Sequence, residues 1–312
     1  MYDTIANAAE QLLWKPEIER PADFSKLNHS IVAGMGGSAL AADLIPAIWP
    51  EIKIHTHRDY GLPFNTQGAL VIASSYSGNT EEAIDVFRSA RKEKLPTAAI
   101  ATGGELARLA EAEEVPLVRL PMTGIQPRAA RGYSMQALLA LMGCSAQSEE
   151  LTQFGKKWDP RSVEEAGKRL ASRMHGKVPL IYTSERNRAI GYNWKIVFNE
   201  TAKIPAFANA IPELNHNEMN AFDNVLAGNA FVFVILCDAQ DHPRIARRME
   251  VLEKILLSKG WPVEVITLEG SSRIMLMQNA LTLGDWTGYH TAMLMNHDPD
   301  TVPAVEAFKK ML

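Results

Sequence analysis

The segment Ser75-Tyr-Ser-Gly-Asn-Thr80 places three hydroxyls and a glycine where a helical pattern begins. The hydroxyls of Ser75, Ser77 and Thr80, with the main-chain amides left open at a helix start, can surround a phosphate dianion without a Lys or Arg. The same residues also have a structural use. Thr80 followed by Glu81 and Glu82 makes an N-cap with an acidic first turn. Three hydroxyls exceed what a cap requires. A second loop, Gly34-Met-Gly-Gly-Ser-Ala39, joins a strand pattern to a helical one. Gly36 and Gly37 allow a tight turn and bring amides close to a ligand, and the helix N-terminus behind them favours an anion. This loop also fits a permissive G-x-G-x-x-A dinucleotide pattern, which wants an acidic residue ending the next strand. That strand ends instead in His55-Thr-His-Arg58, with Asp59 arriving late, so no nicotinamide cofactor is expected.

Such loops need a scaffold. Strand patterns at His29–Ala33, Glu51–His57, Leu70–Ser74, Thr97–Ala101 and Leu117–Leu120 alternate with helical patterns near Ser38–Ile48, Thr80–Lys92 and Leu106–Ala112. A further helix is expected after Arg131, through Met135 and Met142. The alternation predicts a doubly wound parallel sheet. The polar stretch from Cys144 to His175 reads as a connection that ends in a helical pattern. The alternation then resumes with strand Val178–Thr183, a helix near Arg186–Lys203 and strand Phe231–Leu236. Helix Pro243–Lys259, strand Val263–Leu268, a helical pattern near Ser272–Met295 and a terminal helix Pro303–Leu312 follow. The 312 residues thus divide into two α/β domains, 1–150 and 151–312, each long enough for its own core.

Other residues of the second half and the linker could do chemistry. On an ideal helix Ile190, Trp194, Val197 and Phe198 form an apolar stripe, with Lys195, Asn199 and Lys203 opposite. Glu200 falls at the edge of that stripe, a half-buried setting that suits a general base. On the residues alone it reads rather as a rim residue paired with Lys203 three positions on. His216 lies in Pro212-Glu-Leu-Asn-His-Asn-Glu218, where flanking amides can hold one ring tautomer, or where it is simply solvated. Glu213, His216 and Glu218 are close in sequence, but no second histidine stands at helical ligand spacing, so no metal is expected. Arg128 follows Pro127 and could point over the strand ends, where α/β sites form, or be a surface linker residue. Lys309, near the end of the terminal helix, complements the helix dipole.

Composition excludes several classes. The net charge is -4, from 32 Lys and Arg against 36 Asp and Glu. Arg244, Arg247, Arg248 and Lys254 are spaced along one helix and read as a solvated face, so nucleic acid is not an expected partner. Cys144 and Cys237 form no CxxC pair, which argues against a disulfide or a thiolate zinc site and fits a reducing compartment. The N-terminal residues mix charge early, unlike a signal peptide, and no apolar run has the length of a membrane span. A cytoplasmic protein with no membrane partner is expected.

The loops GMGGSA and SSYSGNTEEA resemble those of the sugar isomerase (SIS) domain. The later segments FNETAKIPAFANAIPELNHNEMNAF and VEAFKKML narrow the match to the bifunctional phosphoglucose/phosphomannose isomerases, which carry two such domains. The resemblance runs along nearly the whole chain. It implies two flavodoxin-like three-layer αβα domains, the first with the phosphate loops and the second with the catalytic Glu and His. It also implies a site in the cleft between them and a homodimer whose neighbouring subunit supplies His216. The implied reaction moves a proton between adjacent carbons of a sugar phosphate through a cis-enediol(ate), with no cofactor. By this resemblance Ser38, Ser75, Ser77 and Thr80 hold the phosphate, and Glu200 is the base. His216 opens the ring, Arg128 stabilises the enediolate, and Lys309 assists ring opening, with Lys310 as the adjacent alternative. Thr301 is the nearest match to a threonine that makes room for C2–C3 rotation, although it stands one residue further from Lys309 than the family spacing. That departure bears on mannose activity. Two other classes compete. A sugar-phosphate sensor would need an output module, and no helix-turn-helix or basic face is evident; an oxidoreductase rests on the GMGGSA pattern alone.

Overall fold

In the computed structural model, which describes residues 1–223, 230–309 and 311, the strand patterns of the first half form a six-stranded sheet. Its strands are β1 (Ile18–Glu19), β2 (His29–Ala33), β3 (Ile54–His57), β4 (Ala69–Ser74), β5 (Thr97–Ala101) and β6 (Leu117–Arg119), in the order β1-β6-β5-β4-β2-β3. All pairs are parallel except β1 with β6. Every residue of β4 and β5 is buried, which is why both are continuous runs of small, mainly apolar residues without alternation. Helix Glu81–Lys92 covers them with Ala83, Val86, Phe87 and Ala90, the spacing of one helical face. The winding reverses between β2 and β4, because β3 lies on one side of β2 while β4, β5 and β6 follow on the other. Beyond the C-terminal ends of β2 and β4 lies the switch point, where open α/β sheets take ligands.

The stretch after Cys144 ends in a helix as expected, and it is helical from its start as well. It folds as helices Ser145–Gly155 and Glu164–Arg173 around a 3-10 turn at Pro160–Val163. The first of these helices packs on helix Ala8–Leu13: a Cβ at Gly155 would lie 2.9 Å from Leu12 Cβ. Gln136 ties both to its own helix by donating to the Leu12 carbonyl at 2.6 Å and to Thr152 Oγ1 at 3.1 Å. The first compact unit accordingly runs Ala6–Asp159. Tyr2 sets its ring edge-on to Trp286, with centroids 5.0 Å apart, so Met1–Ile5 join Pro160–Leu312 in the second unit.

The second sheet consists of β7 (Val178–Ser184), β8 (Phe207–Ile211), β9 (Phe231–Asp238) and β10 (Val263–Leu268), in the order β10-β9-β7-β8 and wholly parallel. Strand β8 falls where no strand is expected from the sequence. It is a short edge strand with Phe207 exposed, so its apolar pattern does not report burial. Leaving β1 aside, both sheets wind in the flavodoxin-like manner, with a second switch point between β7 and β9. The doubly wound expectation holds in each unit. Among the described residues no helix is long and apolar enough to cross a membrane.

Candidate active site

The two sequence-predicted loops leave β2 and β4, the strands that flank the first switch point. Gly34 follows β2 so close to β4 that a Cβ there would lie 2.6 Å from the Ser74 carbonyl oxygen. Gly36, at φ 49°, turns the chain into helix Gly37–Ile48. A side chain at Gly37 would collide with the backbone of Pro127 and Arg128, so this glycine lets the 3-10 turn Pro127–Ala129 rest on the helix start. Ser38 then links the loops. Its hydroxyl accepts from the Tyr76 amide at 2.9 Å, and its carbonyl accepts from the Ser74 hydroxyl at 3.0 Å.

Within the hydroxyl loop, Ser75 Oγ donates to Thr80 Oγ1 at 2.8 Å and accepts from the Thr80 amide at 3.3 Å. Gly78, at φ 73°, closes the turn by donating its amide to the Ser75 carbonyl at 3.0 Å. The loop after β5 supports this turn from behind. Thr102 donates its amide and hydroxyl to the Tyr76 carbonyl at 2.9 and 2.7 Å, and Asn79 Oδ1 accepts from the Glu105 amide at 3.0 Å. Thr80 holds the extended N-cap conformation, yet its side chain makes no cap hydrogen bond. Helix Glu81–Lys92 therefore starts with amides that its cap residue does not occupy, an arrangement suited to an anion. Ser75 is buried, Thr80 half-buried and Ser77 exposed, so the hydroxyls run from the interior out to solvent. Arg128 is 2 % exposed and is not a surface linker residue. Its carbonyl accepts from Arg131 Nη1 at 3.2 Å. The first unit thus assembles Gly36, Gly37, Ser38, the loop Ser75–Thr80 and the turn carrying Arg128.

Glu200 lies in the second unit on the element that follows β7. The helix expected from Arg186 to Lys203 is three pieces: a 3-10 turn Glu185–Asn187, an α-helix Arg188–Val197 and a π-helical turn Phe198–Ala202. The stripe Ile190, Trp194, Val197 and Phe198 is buried as expected. Helix Arg273–Leu294 receives it closely. A Cβ at Gly284 would lie 2.6 Å from Trp194 Nε1, one at Gly288 would overlap Val197, and Trp194 Nε1 donates to the Ala280 carbonyl at 2.8 Å. The π turn leaves Glu200 half-buried just past the stripe. Such turns are rare and recur at functional sites.

His216 is exposed on a short helix, Leu214–Asn217, after β8. Its neighbour Glu218 accepts from the Tyr182 hydroxyl at 2.6 Å and from Asn209 Nδ2, while Glu213 accepts from Asn217 Nδ2 at 3.1 Å. Burial, and then Glu218, raise the pKa of the Tyr182 phenol. Thr301 is exposed and donates to Asp298 Oδ2 at 2.8 Å. The Asp300 amide, and then Thr301, hold the Asp298 carboxyl below its usual range. Lys309 ends helix Pro303–Lys309, which buries no residue, and Lys310 lies outside the described residues. His216 and Lys309 therefore stand exposed on separate elements of the second unit.

A buried polar network at the second switch point has no counterpart in the sequence-based expectations. Asp238, which ends β9, has a fully buried carboxylate that accepts from Arg273 Nη1 at 2.9 Å, Asn187 Nδ2 at 3.1 Å and the Gln240 amide at 2.9 Å. Arg186 Nη1 stands 3.7 Å from it. Arg273 Nη2 donates to Asn187 Oδ1 at 2.8 Å, and Ser184, which ends β7, donates to Asp241 Oδ1 at 2.7 Å. Burial lowers the pKa of Arg273 and raises that of Asp241. Where the first sheet offers hydroxyls and open amides, the second offers guanidiniums already matched to carboxylates. These residues are scattered along the chain, and only the strand order makes them neighbours.

Comparison with known proteins agrees with this architecture. Residues 163–312 match the model of the bacterial phospho-glucose isomerase C-terminal SIS domain. The chain is 32 % identical to the bifunctional phosphoglucose/phosphomannose isomerase of Caldicellulosiruptor bescii, over 100 % of its own length and 98 % of the relative's. It is 29 % identical to the protein of the same name from Aquifex aeolicus, again over 100 % and 98 %. The D-glucosamine-6-phosphate 4-epimerase of Sulfolobus acidocaldarius is 30 % identical over 65 % of this chain and 66 % of that one. Among solved structures, the C-terminal domain of glucosamine-fructose-6-phosphate aminotransferase from Francisella tularensis superposes with a TM-score of 0.69, at 13 % identity over 96 % of both chains.

Proposed function

Because the chain belongs to the bifunctional phosphoglucose/phosphomannose isomerase family, we propose that it interconverts fructose 6-phosphate with glucose 6-phosphate and with mannose 6-phosphate. The observation that carries this reading is the hydroxyl-and-amide loop at the first switch point, which suits a phosphate ester. In this reading Ser38, Ser75, Ser77 and Thr80, with the turn at Gly36 and Gly37, hold the phosphate. His216 and Lys309 serve ring opening. Glu200 then takes the proton from one carbon of the open chain and returns it to the next, and Arg128 offsets the negative charge of the enediolate. Thr301 bears on the mannose branch. The enzyme works as a cytoplasmic homodimer without a cofactor, and neither nucleic acid nor membrane is a partner.

The direct test supplies purified protein with fructose 6-phosphate and a chelator, without nicotinamide, and follows both aldose phosphates. Appearance of glucose 6-phosphate is the expected result. No aldose product, or epimerisation at C4 of glucosamine 6-phosphate instead, would overturn the reading. The phosphate loop has its own test. Ser77→Ala should weaken fructose 6-phosphate binding by about 1–3 kcal/mol, because it removes a hydrogen bond to a charged group. Titration calorimetry reads this, and unchanged affinity in a folded variant would count against the loop.

The shared site is tested by mixing. Glu200→Gln and His216→Ala proteins should each be nearly inactive. Refolded together, half of the dimers are hybrids, and each hybrid carries one site with both residues intact, so about a quarter of parental sites should return. Hybrids that form without recovered activity would place both residues in a single subunit.

A further inference from the structure

A π turn at a helix end leaves its last carbonyls without helical partners. Around Glu200 those carbonyls are taken by side chains. Lys203, left-handed at φ 60°, ends the turn and folds its ammonium back to donate to the Glu200 carbonyl at 2.9 Å. The same ammonium donates to the Asp298 carbonyl at 2.6 Å. The Ala202 carbonyl meets His297 Nδ1 at 2.8 Å, and since a carbonyl only accepts, that nitrogen carries the proton. Asn199 Nδ2 reaches past the turn and donates to the Ile204 carbonyl at 3.0 Å.

His297 and Asp298 belong to the loop that leaves helix Arg273–Leu294, the helix whose Gly284 and Gly288 already seat Trp194 and Val197. One long helix and its trailing loop therefore both contact the Glu200-bearing element. We infer that Lys203 and His297 are positioning residues, which fix the Glu200 turn through its main-chain carbonyls so that the carboxylate meets the substrate carbon in one orientation. This inference rests on Glu200 acting as the base. Lys203 acts through the backbone of residue 200, and its loss leaves the first unit's hydroxyl loop unchanged. Turnover and substrate affinity should therefore separate.

The test measures steady-state isomerisation of fructose 6-phosphate by Lys203→Met, Lys203→Arg, His297→Ala and His297→Asn proteins. Misplacing a catalytic group by about an ångström costs roughly 10- to 100-fold in rate, so Lys203→Met and His297→Ala should lose kcat on that scale. KM should stay within about twofold, the pattern for a group that acts on the transition state alone. Lys203→Arg keeps several donors, and His297→Asn keeps an amide that can reach the Ala202 carbonyl, so each should recover most of the loss. A general folding defect would lower active-site content and would not be restored selectively by the variants that keep the donor. If Lys203→Met fails to fold, the His297 pair decides the question alone. Turnover within twofold of the parent in the donor-deleting variants, or no recovery in the donor-keeping ones, overturns the inference. The Glu200→Gln protein separates the two claims. If it is active, the base assignment fails; if it is inactive while the donor-deleting variants stay active, only the positioning role fails.

Discussion

Glu200→Gln is expected to lower kcat for fructose 6-phosphate at least about a hundredfold, the ordinary scale for loss of a general base. Affinity for the substrate should change little, since the phosphate loop is untouched. The amide keeps the volume of the side chain and its place after the buried stripe, so the variant should fold. What it removes is the capacity to take a proton from carbon and give it back. In terms of barrier height a hundredfold is about 2.7 kcal/mol. The measurement is steady-state turnover together with solvent proton exchange at C1 or C2 of the sugar. Activity within a few-fold of the parent, with exchange intact, would remove Glu200 from the mechanism.

Asp238→Ala should cost about 3–5 kcal/mol of stability, the usual penalty when one partner of a buried ion pair is deleted. The deleted carboxylate has three donors at or below 3.1 Å, from Arg273, Asn187 and the Gln240 main-chain amide, and Asn187 among them is fully buried. Arg273 is left with its charge in a site whose burial already lowers its pKa. Asp238→Asn, which keeps one oxygen acceptor but turns the other into an amide donor and removes the charge, should cost less than the alanine variant. Urea-induced unfolding followed by tryptophan fluorescence reads both changes. A loss below about 1 kcal/mol for the alanine variant would mean that Asp241, or water, replaces the missing carboxylate at little cost.

How much of this was legible in the sequence depends on how local the signal is. The loops Gly34–Ala39 and Ser75–Thr80 could be read directly, because each carries its own turn glycine and its own helix start. The stripe Ile190, Trp194, Val197 and Phe198 was legible from spacing, as was the position of Glu200 at its edge. The π turn was not. Its carbonyls meet Lys203 and His297, and nothing in residues 198–202 announces a partner almost a hundred positions away. Strand β8 escaped because an edge strand need not bury an alternating face, and Phe207 is exposed. The helix Ser145–Gly155 escaped because its polar residues, such as Thr152, are buried by hydrogen bonds to Gln136 and Leu12 that only the fold supplies.

The two sheets share a winding order but not a way of tolerating change. At the first switch point the constraints are spatial and act one residue at a time: Gly34, Gly37 and Gly78 are each fixed by a particular piece of backbone pressing on them. At the second, two arginines and two aspartates form a closed sum of charge around Asn187 and Ser184. A lineage drifting from this sequence could replace Arg273 there only while also replacing Asp238, or else carry an unmatched carboxylate in the interior. Substitutions at the first crevice should therefore arise singly. Those at the second should arrive in compensating pairs, so that one half of the chain drifts in single steps and the other in linked ones.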